Sequence, residues 1–167
     1  GVGYQVLLND TSGECNTALG YKVLYNNTVG GYNTGIGYYA NNANITGNYN
    51  TSLGAFAISK MSTDVNNTAV GAFALYVLSG SNNTAIGTNA GRYSGTSFAQ
   101  NSLASNSIFI GYSPKSLSGN QTNEIVIGNL VTGLGSNSTL IGNTATTKAF
   151  IYGKLSANTI SATTYYN

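Results

Sequence analysis

The sequence predicts an all-β fold, a parallel β-solenoid with about 17 residues per coil. Three observations carry this expectation. Gly3, Gly20, Gly37, Gly54 and Gly71 follow one another at steps of 17 residues, and Gly87, Gly111, Gly128 and Gly142 continue at steps of 16, 24, 17 and 14. Each of these glycines is preceded by an aliphatic residue (Val2, Leu19, Ile36, Leu53, Val70, Ile86, Ile110, Ile127, Ile141). A short strand ending in glycine thus recurs along the chain, and such a period marks a repeat architecture. The third observation is compositional. Asn, Thr, Ser and Gly make up about half of the chain, yet it carries 13 Tyr and 5 Phe at a net charge of only +2, whereas disordered segments combine few aromatics with high charge.

The elements follow in order. The first coils enter their strands through Asn16-Thr17-Ala18-Leu19, Asn33-Thr34-Gly35-Ile36, Asn50-Thr51-Ser52-Leu53, Asn67-Thr68-Ala69-Val70 and Asn83-Thr84-Ala85-Ile86. In later coils the motif becomes Asn106-Ser107-Ile108-Phe109-Ile110, Asn123-Glu124-Ile125-Val126-Ile127 and Asn137-Ser138-Thr139-Leu140-Ile141. Alternation puts Thr84 and Ile86 on one strand face and Ala85 on the other. The Thr and aliphatic face is expected to fill the core. The opposite face (Ala18, Ala69, Ala85, Phe109, Val126) is expected to need a second cover, because strands apolar on both faces are buried on both.

A coil of 17 residues has a perimeter of roughly 56 Å, enough for two short strands and two turns around a thin core. No amphipathic helix is evident to cover the remaining face, so copies of the same chain are the economical cover, in a closed cyclic homo-oligomer. The glycines suit corners where positive φ or the close approach of the next coil excludes a Cβ. The asparagines suit turns, αL geometry and side-chain ladders between coils.

Composition excludes several functions. The charge of +2 is too small to favour nucleic acid or an anionic membrane surface, and no apolar run is long enough to span a bilayer. There is no His, Cys15 is the only cysteine, and the carboxylates are Asp10, Glu14, Asp64 and Glu124. No catalytic residue, metal site or cofactor site suggests itself. A glycosidase would need two carboxyls roughly 5–10 Å apart, while Asp64 lies three coils beyond Asp10 and Glu14, on the order of 14 Å away. Lys60-Met61-Ser62 and Ser113-Pro114-Lys115 read as turns. The start at Gly1, inside a repeat strand, reads as a piece of something longer.

Binding is the more open question. Tyr4, Tyr21 and Tyr38 follow the marker glycine in three successive coils and are expected to stack along one edge, where a sugar face could dock or the rings could simply cover the coil. The long step from Gly87 to Gly111 places extra residues at 92–101, and insertions in solenoids emerge as loops that often carry binding. Arg92, Tyr93, Phe98 and Gln100 are the contact candidates there; a tolerated loop or one wrapping a neighbouring subunit is the alternative. The Thr column (Thr17, Thr34, Thr51, Thr68, Thr84) would suit ordered water, as in ice-binding surfaces, but its expected inward direction argues against that.

Asn106-Ser107-Ile108-Phe109-Ile110-Gly111 and Asn82-Asn83-Thr84-Ala85-Ile86-Gly87 resemble the Asn-Ser-Val-Ala-Ile-Gly repeat of trimeric autotransporter adhesin heads. The longer period is more similar to repeats of phage tail fibres and related large surface proteins. The stretch from Thr147 to Tyr165 is similar to the connector that precedes an endosialidase-type intramolecular chaperone, which is itself absent. The resemblance covers about 1–142 by the repeats and the remainder by the connector; it implies a left-handed β-roll (1–144), a braided stem (145–167) and a homotrimer. The implied function is a structural and adhesive segment of an extracellular fibre, on a virion tail or a bacterial surface, touching a host glycan and performing no catalysis.

Overall fold

The computed structural model describes residues 1–77, 79–95, 99, 100 and 104–146. Its strands are β1 (Val2–Tyr4), β2 (Thr17–Tyr21), β3 (Thr34–Tyr38), β4 (Thr51–Leu53), β5 (Thr68–Val70), β6 (Thr84–Ile86), β7 (Tyr93–Ser94), β8 (Ala99–Gln100), β9 (Ala104–Ser105), β10 (Ile108–Ile110), β11 (Gln121–Thr122), β12 (Glu124–Ile127) and β13 (Ser138–Ile141). They form a parallel β-solenoid of about eight turns of roughly 17 residues. One nine-stranded sheet runs its length in the order β1-β2-β3-β4-β5-β6-β10-β12-β13. The register is the one the glycine period implies: Gly3 opposes Gly20, Gly20 opposes Gly37, and Thr17, Thr34, Thr51, Thr68 and Thr84 align in one column. Ile108 and Ile125 continue that column, which ends at Thr139.

The marker glycines turn the corner out of each strand. Gly54 has φ +137°, and a Cβ there would sit 2.7 Å from the carbonyl carbon and oxygen of Gly71 in the next coil. Close stacking of backbones, more than turn geometry alone, therefore excludes a side chain.

The opposite side of the coil differs from expectation. In the first coils it is no second strand but a run of bends with alternate residues in the left-handed region, such as Lys22 (φ 52°), Leu24 (φ 49°), Tyr39 (φ 55°), Phe56 (φ 58°) and Ile58 (φ 51°). Such geometry is costly for residues with a Cβ, most of all a β-branched one. Backbone hydrogen bonds between coils hold it. The residue two after the glycine donates to the coil before it (Lys22 N–H to Tyr4 O, 2.9 Å; Phe56 N–H to Tyr38 O, 2.8 Å), and the residue four after donates to the coil ahead (Leu24 N–H to Ala40 O, 3.1 Å; Ile58 N–H to Ala74 O, 3.0 Å).

The facing of the strands is the reverse of the one expected. Ala18, Ala69, Ala85, Phe109 and Val126 are buried, whereas Leu19, Leu53, Ile86 and Ile141 are exposed, with Thr17 beside them. The wall opposite the strands supplies the bulk, through Val23, Leu24, Ile58, Met61 and Leu75, and so thin a core has room for only one large column. Gly35 shows the limit, since a Cβ there would collide with Val23 Cγ1. After β6 the sides exchange roles. Phe109 now fills the core from the strand, and the wall recedes to Gly91, where a Cβ would lie 2.8 Å from the Phe109 ring.

Asparagine links each coil to the next. Asn33 N–H donates to Asn16 Oδ1 at 2.9 Å, Asn50 N–H to Asn33 Oδ1 at 2.9 Å, Asn67 N–H to Asn50 Oδ1 at 3.0 Å and Asn83 N–H to Asn67 Oδ1 at 3.0 Å. The ladder passes to Ser107, whose N–H donates to Asn83 Oδ1 at 3.0 Å. The left-handed residue is the one before each ladder asparagine (Tyr32, Tyr49, Asn66, Asn82), so the two roles expected of asparagine are divided between neighbours.

Two substitutions test this architecture. Ala69→Leu on the inward column is expected to destabilise by about 2–3 kcal/mol through overpacking, a larger loss than that from Val70→Leu on the half-exposed outward column. Asn50→Ala leaves the buried Asn67 N–H and the Asp64 carbonyl without the side-chain partner they have now, for a loss of about 3 kcal/mol. Denaturant unfolding reads both.

Candidate functional site

The aromatic edge begins where β2 and β3 end. Tyr21 and Tyr38 are the last residues of those strands, and Tyr4, Tyr21 and Tyr38 form the expected ladder, with centroids 5.2 and 5.1 Å apart and planes within 14°. Stacking at this distance covers ring faces with neighbouring rings. The ladder therefore presents edges and hydroxyls to solvent, on side chains that remain exposed. A sugar face has little ring face to rest on there.

One residue further round the corner lies a second column. Tyr39 and Phe56 stack at 5.6 Å and Phe56 and Phe73 at 5.0 Å. Tyr76 and Phe73 meet in a T-shaped contact at 5.4 Å, and Tyr38 bridges the two columns by its 4.7 Å T-shaped contact with Tyr39. This column occupies the position two after the marker glycine, a regularity present in the sequence but hidden by its change from Lys22 through Tyr39 to phenylalanine.

Cations lie on these rings. Lys22 Nζ is 5.7, 5.5 and 5.6 Å from the rings of Tyr21, Tyr25 and Tyr39. Its pKa is raised, first by a hydrogen bond with Tyr39, so it is cationic at neutral pH. Lys60 Nζ is 5.1 Å from Tyr76. The Arg92 guanidinium lies 4.3 Å from Phe73, 5.0 Å from Tyr76 and 4.9 Å from Tyr93, and its Nη1 donates to Asn89 Oδ1 at 2.8 Å. Arg92 Nε is buried and has no protein acceptor. Guanidinium stacking of this kind orients the charge without neutralising it.

The insertion thus joins the aromatic edge. Within it β7 pairs antiparallel with β8, Tyr93 opposite Gln100 and Ser94 opposite Ala99. Arg92 and Tyr93 are brought together with the second ring column, Gln100 is placed by its backbone opposite Tyr93, and Phe98 lies outside the described residues. Lys22, Phe56, Phe73 and Tyr76 belong to the same surface, although neither the Tyr run nor the insertion singles them out. Tyr32 and Tyr49 stack at 5.1 Å as a separate ladder beside the Glu14 and Cys15 turn.

The acidic groups lie elsewhere. Asp10 accepts from Gly13 N–H at 2.7 Å, and buried Glu124 accepts from Ser116 Oγ at 2.7 Å and Gly135 N–H at 2.9 Å. Asp64 accepts from Gly80 N–H at 2.9 Å and borders a cavity of about 270 Å³ with Ser79, Ser105 and Gln121. Among the described residues no three His, Cys, Asp or Glu side chains gather as metal ligands, and no helix is long and apolar enough to cross a membrane. A wider cavity of about 520 Å³, lined by Leu130, Val131, Leu134 and Leu140, opens in the last coils.

Comparison with protein-family models, with curated proteins and with solved structures found no match.

Asp64 gives a pH prediction. Burial, opposed by the bond from Gly80, raises its pKa above the ordinary aspartate range. The folded state then binds more protons than the unfolded chain within that window, so stability falls as pH rises through it. Asp64→Asn keeps an acceptor for Gly80 and removes the titration. Melting of both proteins from about pH 3 to about pH 7 should show the wild type losing Tm relative to the variant as pH rises; parallel curves would refute the shift.

Proposed function

We propose that this chain is a rigid segment of a homotrimeric extracellular fibre, a left-handed β-roll that bears load and contacts a surface glycan without catalysis. The observation that carries the reading is the outward face of the nine-stranded sheet. Leu19, Leu53, Ile86 and Ile141 are 47%, 44%, 43% and 70% exposed in one continuous row, beside a column of Thr and Ile. Aligned apolar faces of this length are uncommon on monomers and mark interaction surfaces.

The second face needing cover is therefore the Thr and aliphatic one, opposite to the face expected from the sequence, and the reason for self-association is unchanged. A five-residue strand such as β2 spans about 16 Å. Three such faces set around a threefold axis stand roughly 5 Å from it, half the usual 10 Å spacing of packed sheets. At the level of β2 and β3, the two five-residue strands, a cyclic trimer thus closes with no element beyond the repeat itself. The repeat resemblance favours a phage tail fibre; a bacterial surface adhesin is the alternative owner.

The outward Thr column favours a second reading, ordered water as on an ice-binding face, because the inward packing that argued against it does not hold. Against it, the companion column is entirely aliphatic and Ile108 and Ile125 interrupt the threonines.

Light scattering decides between these. The fibre reading expects three times the 17.2 kDa of one chain, and a folded monomer from Leu53→Lys combined with Ile86→Lys. A wild-type monomer would end the trimer reading, and thermal hysteresis from that monomer would establish the ice-binding one.

A further inference from the structure

We propose that the corner strip formed by Lys22, Tyr39, Lys60, Tyr76, Arg92 and Tyr93 binds an acidic polysaccharide lying along the solenoid axis. This inference rests on the glycan-contact role above and names the chemical class of that glycan.

Three features of the strip select for negative charge. The first is the direction of the rings. In the stacked columns ring faces meet ring faces, at 5.6 Å for Tyr39–Phe56 and 5.0 Å for Phe56–Phe73, which turns ring edges and phenol groups outward. The edge is the positive part of the aromatic quadrupole, so the strip favours anions even where it is formally neutral. A neutral sugar stacking its C–H face would need an open ring face, and the Tyr39–Phe56–Phe73 column covers the faces between its rings.

The second feature is the placement of charge. Lys22, Lys60 and Arg92 stand in the second, fourth and sixth coils, each on an aromatic ring at 5.7 Å or less. The carboxylates with described partners are engaged away from this strip: Asp10 with Gly13, Asp64 with Gly80, and Glu124 with Ser116 and Gly135. The Arg92 guanidinium is held in place by Asn89 and three rings, with its Nε buried against them. Held cations that keep their charge are suited to carboxylate or sulfate.

The third feature is shape. The strip climbs from Lys22 to Arg92 through four coil steps, about 19 Å at ~4.8 Å per step, with one cation about every 10 Å. That is a narrow track rather than a pocket. It fits an extended polymer with acid groups at intervals, better than it fits a small anion. The threefold assembly leaves the strip accessible, because it lies round the corner from the strand face, with only Tyr4, Tyr21 and Tyr38 at the margin between the two.

The test is direct binding of the whole chain, by calorimetry, to chondroitin, chondroitin sulfate and dextran. Chondroitin carries a carboxylate on every second sugar, chondroitin sulfate adds sulfate, and dextran is neutral. Binding of either acidic polymer and not of dextran is expected, weakened about fivefold by each of Lys22→Gln and Arg92→Gln, with unchanged circular dichroism and Tm. Tighter binding of the sulfated form would assign sulfate as the preferred acid group, and equal binding would assign carboxylate. Dextran binding as tightly overturns the acidic class and leaves glycan contact standing. Binding of no polymer overturns both, whatever the oligomeric state. Binding unaltered in Lys22→Gln, Lys60→Gln and Arg92→Gln places the site elsewhere and overturns the proposal.

Discussion

The register between coils is the constraint on which the rest of the molecule depends, and from Asn16 to Asn83 the carboxamide of one asparagine per coil fixes it. Asn50 illustrates the geometry. Its oxygen accepts from the backbone of Asn67 in the following coil, its nitrogen donates to the Asp64 carbonyl at 2.8 Å, and its own N–H is taken by Asn33. A shift of one residue would break all three bonds and turn every outward side chain inward. Because these groups are buried, the bonds cannot be exchanged for water, and a missing partner costs more than a bond is worth when made. With the coils so aligned, like residues face like residues along the axis. The same alignment stacks the tyrosines, brings glycine against glycine and lines up the aliphatic row.

Core volume is the second constraint, and it is conserved across the solenoid although its source is not. In the early coils Gly35, Ser52, Ala69 and Ala85 keep the strand side shallow, and Leu24, Ile58 and Leu75 reach across from the wall. In the later coils Phe109 and Val126 reach from the strand and glycines recede opposite them. Gly133 also lies against this side, where a Cβ would collide first with the buried Glu124 carboxylate and then lie 2.8 Å from Val126 Cγ2. The exchange coincides with the insertion that carries the antiparallel β7–β8 pair. Asn41 is an irregularity in the wall column: it is buried between the positions of Leu24 and Ile58, and neither its Oδ1 nor its Nδ2 has a partner.

Much of this was legible in the residues, and the illegible parts have physical reasons. The glycine period states the register because backbone contact tolerates no substitute, and the asparagines announce a ladder because few side chains both donate and accept. The direction of the strands could not be read in the same way. Thr-Ala-Ile alternates clearly, but which face is inside depends on what stands across the core, and the wall residues belong to bends that lack a strand's alternation. Leu24 and Ile58 in the left-handed region have no local signature, since only the hydrogen bonds of neighbouring coils keep them there. For the candidate site, Tyr4, Tyr21 and Tyr38 were visible as a ladder, and Arg92 and Tyr93 as part of an insertion. Their meeting through Phe56, Phe73 and Tyr76 emerges only when coils are stacked.

The two surfaces that carry the functional reading follow from a single turn of the backbone. Up to the marker glycine the chain displays Thr and an aliphatic residue on a flat sheet; immediately beyond it the chain bends, and the next side chains project from a corner. The flat face offers regular apolar area with no charge, which suits a copy of itself and a shared axis. The corner offers ring edges and held cations on a narrow track, which suits a charged polymer and solvent access. Neither property can be moved to the other surface without loss. Cations on the sheet would lose hydration when copies met, and aliphatics at the corner would leave an extended ligand without polar contacts. In the proposed trimer the sheets meet inside and three tracks run parallel outside, so each weak contact with a polymer is repeated along and around the fibre. Linked sites of this kind gain through effective concentration when geometry allows several to engage together, so the proposed trimer turns modest individual contacts into firm attachment.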